Sequence, residues 1–262
     1  MLESIAEGSE ADAITIALIG ERGREAQAWI DRRNARTTVV CATSDRPPSE
    51  RVLAAHVALA HASALRDRGL HVLLVLDSLA RVAGALREVA IGKGESCGRG
   101  GYPPSVFSHL ARIVEIAGVV GGGSMTLLAS VLNDGEDRDP VSDAARSLLD
   151  GHVALSERLA RARRFPSIDV CASVSRTMSQ VASDAHRAAA ARVRRSIARL
   201  DEVADARALG IEPGDRYTRA AVEAEARLEA FLRQAHRPVP PRESLAALTE
   251  LADTLEEPHG YQ

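Results

Sequence analysis

Short apolar runs alternate with longer mixed stretches along the first two thirds of the chain. Ala13–Ile19 (AITIALI) is apolar apart from one threonine and stops at Gly20. The run is too short for a buried helix and is rich in β-branched residues, so it reads as a buried strand. Thr37–Ala42 (TTVVCA), residues 71–76 (HVLLVL) and residues 124–132 (SMTLLASVL) repeat that texture, and a further strand begins at Gly151 in GHVALS. Between them lie helical stretches: residues 21–34, an alanine-rich run over 50–68 stopped by Gly69, a helix from about Leu79, and another from Ser105 to about Ala117. Apolar strands alternating with helices predict an α/β fold with a parallel sheet covered on both faces.

The texture changes after FPSIDVCASVSR. From about Ser183 onward alanine, arginine, glutamate and leucine recur at helical spacing, with no further strand signal. A boundary near 180 divides the sequence into a sheet-bearing domain, 1–180, and a small C-terminal helical domain, 181–262. RPVPPRE (237–243) interrupts the second before a last amphipathic helix over 244–255.

Composition narrows the possibilities. Aromatic residues are 3% of the 262, so the core is aliphatic. A net charge of -3 gives no general drive toward nucleic acid or acidic lipid. The arginines of RARR (161–164) and Arg192, Arg194, Arg195 and Arg199 are expected on solvated helix faces or subunit contacts. Cys41, Cys97 and Cys171 lack metal-ligand spacing, and His56 and His61 are five apart, a poor geometry for sharing a metal. The apolar runs fall short of the ~20 residues a membrane span needs, and no secretory leader is evident. The expected compartment is the cytoplasm.

Two acidic residues stand where chemistry gathers in open parallel sheets, beyond the carboxyl ends of strands. Glu21 follows the first strand in IGERGRE, and Asp77 ends LLVLD after the third. Four apolar residues followed by Asp is the pattern of a magnesium-orienting acid in nucleotide-hydrolysing sheets. Two acids at matching strand ends divide the work: one holds metal-bound water, the other orients the attacking water. No G-x-x-x-x-G-K-[ST] occurs in the sequence.

PSIDVCASVSR (166–176) makes the reading specific. Pro166, Ser167, Ile168, Asp169, Ser173 and Ser175 fill the constrained places of the signature decapeptide of the ATP synthase alpha/beta superfamily. Within it the chain resembles the ATPases of flagellar and type III protein export, through ALIGERGRE, ATSDRP, VLLVLDSLAR, ALREVA, GYPPSVF, DPVSDAARSLLDGHVALS and EAFLRQ, in family order from about 13 to 234. GKGESCGRGG departs from the doubled arginine usual before GYPPSVF. The resemblance implies a RecA-like P-loop NTPase core, here incomplete at its N-terminus, and a homohexameric ring that uses ATP and Mg2+. Glu21 would polarise the attacking water, Arg22 would contact phosphate or hold that glutamate, and Asp77 would act on Mg2+ through water. Phe165 would lie against adenine, and Arg176 would be the arginine finger reaching a neighbouring subunit's nucleotide. Implied partners are stalk and regulator proteins and chaperone–cargo complexes at the inner membrane, with no nucleic acid.

By the same resemblance, MLESIAEGSEAD corresponds to the end of the helix that the phosphate loop opens, so the chain is expected to start just after that loop and to hydrolyse no ATP as given. Charge-assisted hydrogen bonds contribute roughly 1.5–3 kcal/mol each, and losing several weakens nucleotide binding by ~4 or more orders of magnitude. The absent interior strand would leave two strand edges open. A non-enzymatic short homologue partnering a full-length ATPase is the alternative. A Rho-like RNA helicase shares the sheet but is disfavoured by the decapeptide, the acidic balance and the helical C-terminus; so is a non-catalytic rotary subunit, which usually replaces the glutamate.

Overall fold

The computed structural model describes residues 1–132, 139–234 and 238–255. The acidic stretch expected as a loop at 133–138 and the start of the RPVPPRE break lie outside them. Two compact units divide the chain at Leu149/Asp150.

The first unit, Leu2–Leu149, is built on β1 (Ala13–Ile19), β2 (Thr37–Ala42), β3 (His71–Asp77), β4 (Gly118–Val120) and β5 (Gly123–Ala129), in the spatial order β2-β1-β3-β5-β4. The first three and β5 run parallel; β4 is an antiparallel edge strand on β5 that sequence texture did not show. On β1, Ala17 and Ile19 face one apolar cluster, while Ile14, Ile16 and Leu18 face another. On β3, Val72, Leu74 and Leu76 alternate with Leu73 and Val75 in the same way. Both faces of the two central strands are therefore buried, which is why these runs are continuously apolar. Burying each large side chain, Leu74 or Ile16 for example, stabilises by about 1.5–3 kcal/mol.

Helices α1 (Leu2–Gly8) and α2 (Gly23–Arg32) supply Ala6, Ala26 and Trp29 to one face. The other face is covered by α3 (Pro48–Arg66), α4 (Leu79–Gly92), α5 (Pro104–Glu115) and α6 (Pro140–Leu148). Proline at the first turn starts α3, α5 and α6, and the Asp139 carboxylate caps α6 by accepting from Val141 and Ser142 N–H. Gly123 has no alternative: a Cβ there would lie 1.9 Å from the Arg66 carbonyl oxygen. The outer edge of β5 is paired by β4 only over Gly123–Met125.

The second unit begins at Asp150. It contains β6 (Gly151–Leu155), α7 (Glu157–Arg161), β7 (Ile168–Ser175), α8 (Met178–Val181), α9 (Asp184–Ala208), α10 (Arg216–Leu232) and α11 (Pro241–Asp253). The strands β6 and β7 form a separate antiparallel ribbon, so the strand expected at Gly151 stands outside the parallel sheet. Ala189, Val193 and Ile197, one stripe of α9, pack with Ala224, Leu228, Leu251 and Ala252, and Val170 and Cys171 of β7 lie against that cluster. Contacts divide the chain before the ribbon because the ribbon shares its core with the helices of this second unit. Several arginines of the basic stretches hold this unit together. Arg194 donates to the Cys171 and Ser173 carbonyls at 3.3 and 3.2 Å, and the buried Arg164 meets Glu229 at 2.8 Å. No helix among the described residues is long and apolar enough to cross a membrane.

Candidate functional site

β1 delivers the chain to Gly20, whose φ of +73° turns it sharply. The turn is pinned to the end of β2: Gly20 N–H donates to the Ala42 carbonyl at 2.7 Å, and Ser44 N–H donates to the Glu21 carbonyl at 3.1 Å. The Glu21 side chain is 13% exposed, and its Oε1 lies 3.0 Å from Nε of Arg81, in the first turn of α4. A second carboxylate, Glu25 in the first turn of α2, shares a hydrogen bond with it. Burial, then that hydrogen bond, pushes the Glu21 carboxyl up to about 7; nearby Asp77 adds to the rise and Arg81 opposes it. The same hydrogen bond holds Glu25 below the usual carboxylate range, assisted by Arg22 and Arg81. A carboxyl raised toward neutrality in this way is suited to general-base chemistry.

Asp77 is the last residue of β3, and Oδ1 accepts from the Ser130 hydroxyl at 2.5 Å. The parallel register sets Leu18 opposite Asp77, so Glu21 emerges just past the same end of the sheet. Ser78 is buried and caps α4, accepting from Arg81 N–H, and the Asp77–Ser78 peptide is cis. Arg22 is exposed at the N-cap of α2, its carbonyl accepting from Glu25 and Ala26 N–H at 3.0 and 3.1 Å. Among the described residues no group of three or more His, Cys, Asp or Glu is arranged to hold a metal ion. A single carboxylate with one oxygen already engaged suits a hydrated Mg2+, which keeps several of its waters. When bound, that ion would neutralise phosphate charge; Asp77 would hold one of its waters.

The signature decapeptide folds as the second strand of the ribbon. Phe165–Pro166 is a cis peptide, and the Phe165 ring is half exposed. The Phe165 carbonyl accepts from Gln234 N–H at 2.9 Å, which ties the end of α10 to the start of the motif. The Ser167 carbonyl accepts from Ser156 N–H at 2.8 Å. Asp169 accepts from Ala172 N–H at 2.9 Å through its side chain. The Ser173 hydroxyl donates to the Asp169 carbonyl at 2.6 Å and accepts from Ala154 N–H at 3.0 Å, where the register shifts between His152 and Ala154. Asp169 and Ser173 therefore satisfy the backbone of a β-bulge. Ser175 pairs with Gly151, where a Cβ would lie 2.5 Å from the Val174 carbonyl oxygen. Arg176 follows immediately, with its N–H bonded to the Asp150 carbonyl at 2.7 Å and its side chain exposed.

Glu21, Arg22 and Asp77 thus gather at one end of the sheet, joined by two residues the sequence did not single out, Arg81 and Glu25. Each lies one helical turn past a named acid, Arg81 past Asp77 and Glu25 past Glu21, which is the signal that was available. Phe165 and Arg176 belong to the second unit and flank β7, whose eight residues at about 3.3 Å each separate them.

The model of the ATP synthase alpha/beta family, nucleotide-binding domain, matches residues 1–175. A type 3 secretion system ATPase of Pseudomonas syringae pv. syringae is 45% identical over 266 residues, covering 98% of this chain and 59% of the relative. The flagellum-specific ATP synthase of Salmonella typhimurium (strain LT2) is 41% identical over 244 residues, 89% of this chain and 54% of the relative. The chain therefore spans somewhat more than half the length of these curated relatives. Among solved structures, the assembled ATPase EscN from the enteropathogenic E. coli type III secretion system is 36% identical with a TM-score of 0.92, over 96% of this chain and 63% of that one. EscN in complex with its central stalk EscO gives a TM-score of 0.88 at 36% identity, over 96% of this chain and 62% of that one. A parallel sheet with paired strand-end acids, a decapeptide ribbon ending in an exposed arginine, and these matches together place the chain in the ATP synthase alpha/beta family.

Proposed function

We propose that this chain is the water-activating and finger-bearing portion of an ATPase that energises protein export through a type III secretion or flagellar apparatus. The observation that supports it most is the largely enclosed Glu21 carboxylate, 3.0 Å from Arg81 Nε and emerging at the same end of the parallel sheet as Asp77. In hydrolysis Glu21 takes a proton from water as the water oxygen attacks the γ-phosphorus and the bond to the bridging oxygen of ADP breaks. Asp77 would hold Mg2+ through water, and Arg22 would contact phosphate or steady Glu21. The half-exposed Phe165 stacks on adenine, with residues 1–180 as the ATPase core and 181–262 as the C-terminal domain.

Arg176 acts in trans. The family resemblance implies this, and Phe165 and Arg176 stand at opposite ends of β7. One chain then contributes to two sites, as a ring with head-to-tail interfaces requires. We place this ring, a hexamer, in the cytoplasm at the inner membrane, with a central stalk, regulator proteins and chaperone–cargo complexes as partners. These 262 residues hold no G-x-x-x-x-G-K-[ST], and on this reading the chain as given hydrolyses no ATP. The test is turnover by the longest in-frame polypeptide that contains this chain. Magnesium-dependent ATP hydrolysis abolished by Glu21→Gln is expected; an inactive wild type overturns the reading in favour of a non-enzymatic partner of another ATPase.

A further inference from the structure

Arg163 takes a backbone conformation that residues with a side chain avoid. Its φ is +56°, and no other non-glycine residue among those described has a positive φ. The conformation closes α7: Arg163 N–H donates to the Ala160 carbonyl and Arg164 N–H to the Leu159 carbonyl, each at 3.0 Å. These two bonds make the helix-ending motif in which glycine usually fills the left-handed place. An arginine there carries a conformational cost that the turn itself does not require.

The neighbouring arginines have structural work. Arg158 meets Asp201 at 3.2 Å, Arg161 meets Glu157 at 2.6 Å, and the buried Arg164 meets Glu229 at 2.8 Å. Arg163 is exposed, and among the described residues its guanidinium meets no hydrogen-bond acceptor. Two residues on stands Phe165, its ring half exposed. Arg164, between them, is 9% exposed, so burial alternates over the three residues and leaves Arg163 and Phe165 both toward solvent. The segment is anchored twice to α10, through Glu229 and through Gln234 N–H on the Phe165 carbonyl. Two residues of chain span at most about 7 Å, the separation at which two flat groups admit a planar ring at van der Waals contact, roughly 3.5 Å on each side.

We propose that Arg163 is a nucleotide-binding residue: its guanidinium covers the face of adenine that Phe165 leaves open, so that the base lies between a phenyl ring and a cationic plane. A guanidinium is planar, always charged and attracted to aromatic faces, which suits it to that place. The inference rests on the reading above in which Phe165 stacks on adenine.

The experiment uses the same longest in-frame polypeptide, with ATP and ADP dissociation constants measured by titration calorimetry, wild type first. Arg163→Gly is expected to weaken ATP and ADP by the same factor, about 3- to 30-fold, the range for a cation on an aromatic face. Its melting temperature is expected to match or exceed that of wild type, because glycine takes the left-handed conformation freely. Affinity lost without stability lost is a result that a structural role would not give. Arg163→Lys keeps the charge without the plane and is expected to bind nearly as weakly as Arg163→Gly. If Phe165→Ala weakens ATP and Arg163→Gly does not, the clamp is wrong while the adenine reading stands. If Phe165→Ala changes nothing, or wild type binds neither nucleotide, both fall. A greater loss for ATP than for ADP, or full rescue by lysine, would make Arg163 a phosphate contact instead. A lowered melting temperature in Arg163→Gly would make it a structural residue.

Discussion

Glu21 and Arg176 stand in opposite conditions. The glutamate is nearly enclosed, at the end of a sheet whose central strands are buried on both faces, and it is held by an arginine from another element. The arginine is exposed at the end of a two-stranded ribbon, fixed at its backbone. Chemistry explains the difference. A carboxylate works as a base near neutrality only if burial or neighbouring charge raises its pKa, so its environment must be built around it. A guanidinium keeps its charge under all ordinary conditions and needs no such environment. In the proposed finger role it needs reach, and a strand end whose backbone is held by Asp169, Ser173 and Gly151 is suited to supply it.

The sharpest way to break this comparison is at Arg176. In a hydrolysis-competent polypeptide, Arg176→Ala is expected to lower kcat by about 10³–10⁵, the range for arginine fingers, while ATP affinity and assembly are unchanged. Rings mixed from Arg176→Ala and Glu21→Gln subunits should regain activity at interfaces that pair an intact Glu21 with an intact Arg176. Mixed rings as inactive as either parent, with subunit exchange verified, would make Arg176 a structural residue.

The two units can be set against each other through packing. Leu74 is fully buried in the central strand β3, and Leu74→Ala is expected to cost about 2–5 kcal/mol in denaturant unfolding. In the ribbon the tight point is a backbone approach. Gly151→Ala brings a methyl to 2.5 Å from the Val174 carbonyl and is expected to cost about 1–3 kcal/mol by overpacking. A neutral Gly151→Ala would show that the ribbon yields where the sheet does not.

The smallest effect sharpens the account of Glu21. Its folded carboxyl lies near 7 against an ordinary value of 4.5, so the folded state binds more protons between those values and stability falls as pH rises through that window. Glu25 is shifted the other way, and its contribution is lost only as pH falls below the ordinary carboxylate range. Thermal melts from pH 5 to 8 should therefore show Glu21→Gln gaining on wild type by a few degrees as pH rises. A constant difference would mean that Glu21 is ionised throughout.

Much of this is legible in the sequence. The apolar runs at Ala13–Ile19 and 71–76 read as buried strands because they are short and β-branched, and a sheet covered on both faces hides so continuous an apolar stretch. The acids at their ends and the decapeptide are local patterns, readable because each is a short run of neighbours in sequence. Edges and boundaries are less legible. The short strand Gly118–Val120 is too brief to have a period, and the ribbon's allegiance to α9 depends on Val170 and Cys171 finding a core some twenty residues away.

Sequence alone settled the fold class and the family, and singled out Glu21, Asp77, Phe165 and Arg176 as candidates, because binary pattern and signature are properties of consecutive residues. Tertiary structure decided what those residues experience. That Arg81 passes under Gly20 to reach Glu21, that Ser130 holds Asp77 from the neighbouring strand, and that Ser173 closes a bulge opposite Ala154 all follow from strand register and helix placement. Register joins residues tens of positions apart, and it is fixed by the packing of the whole sheet rather than by any one segment.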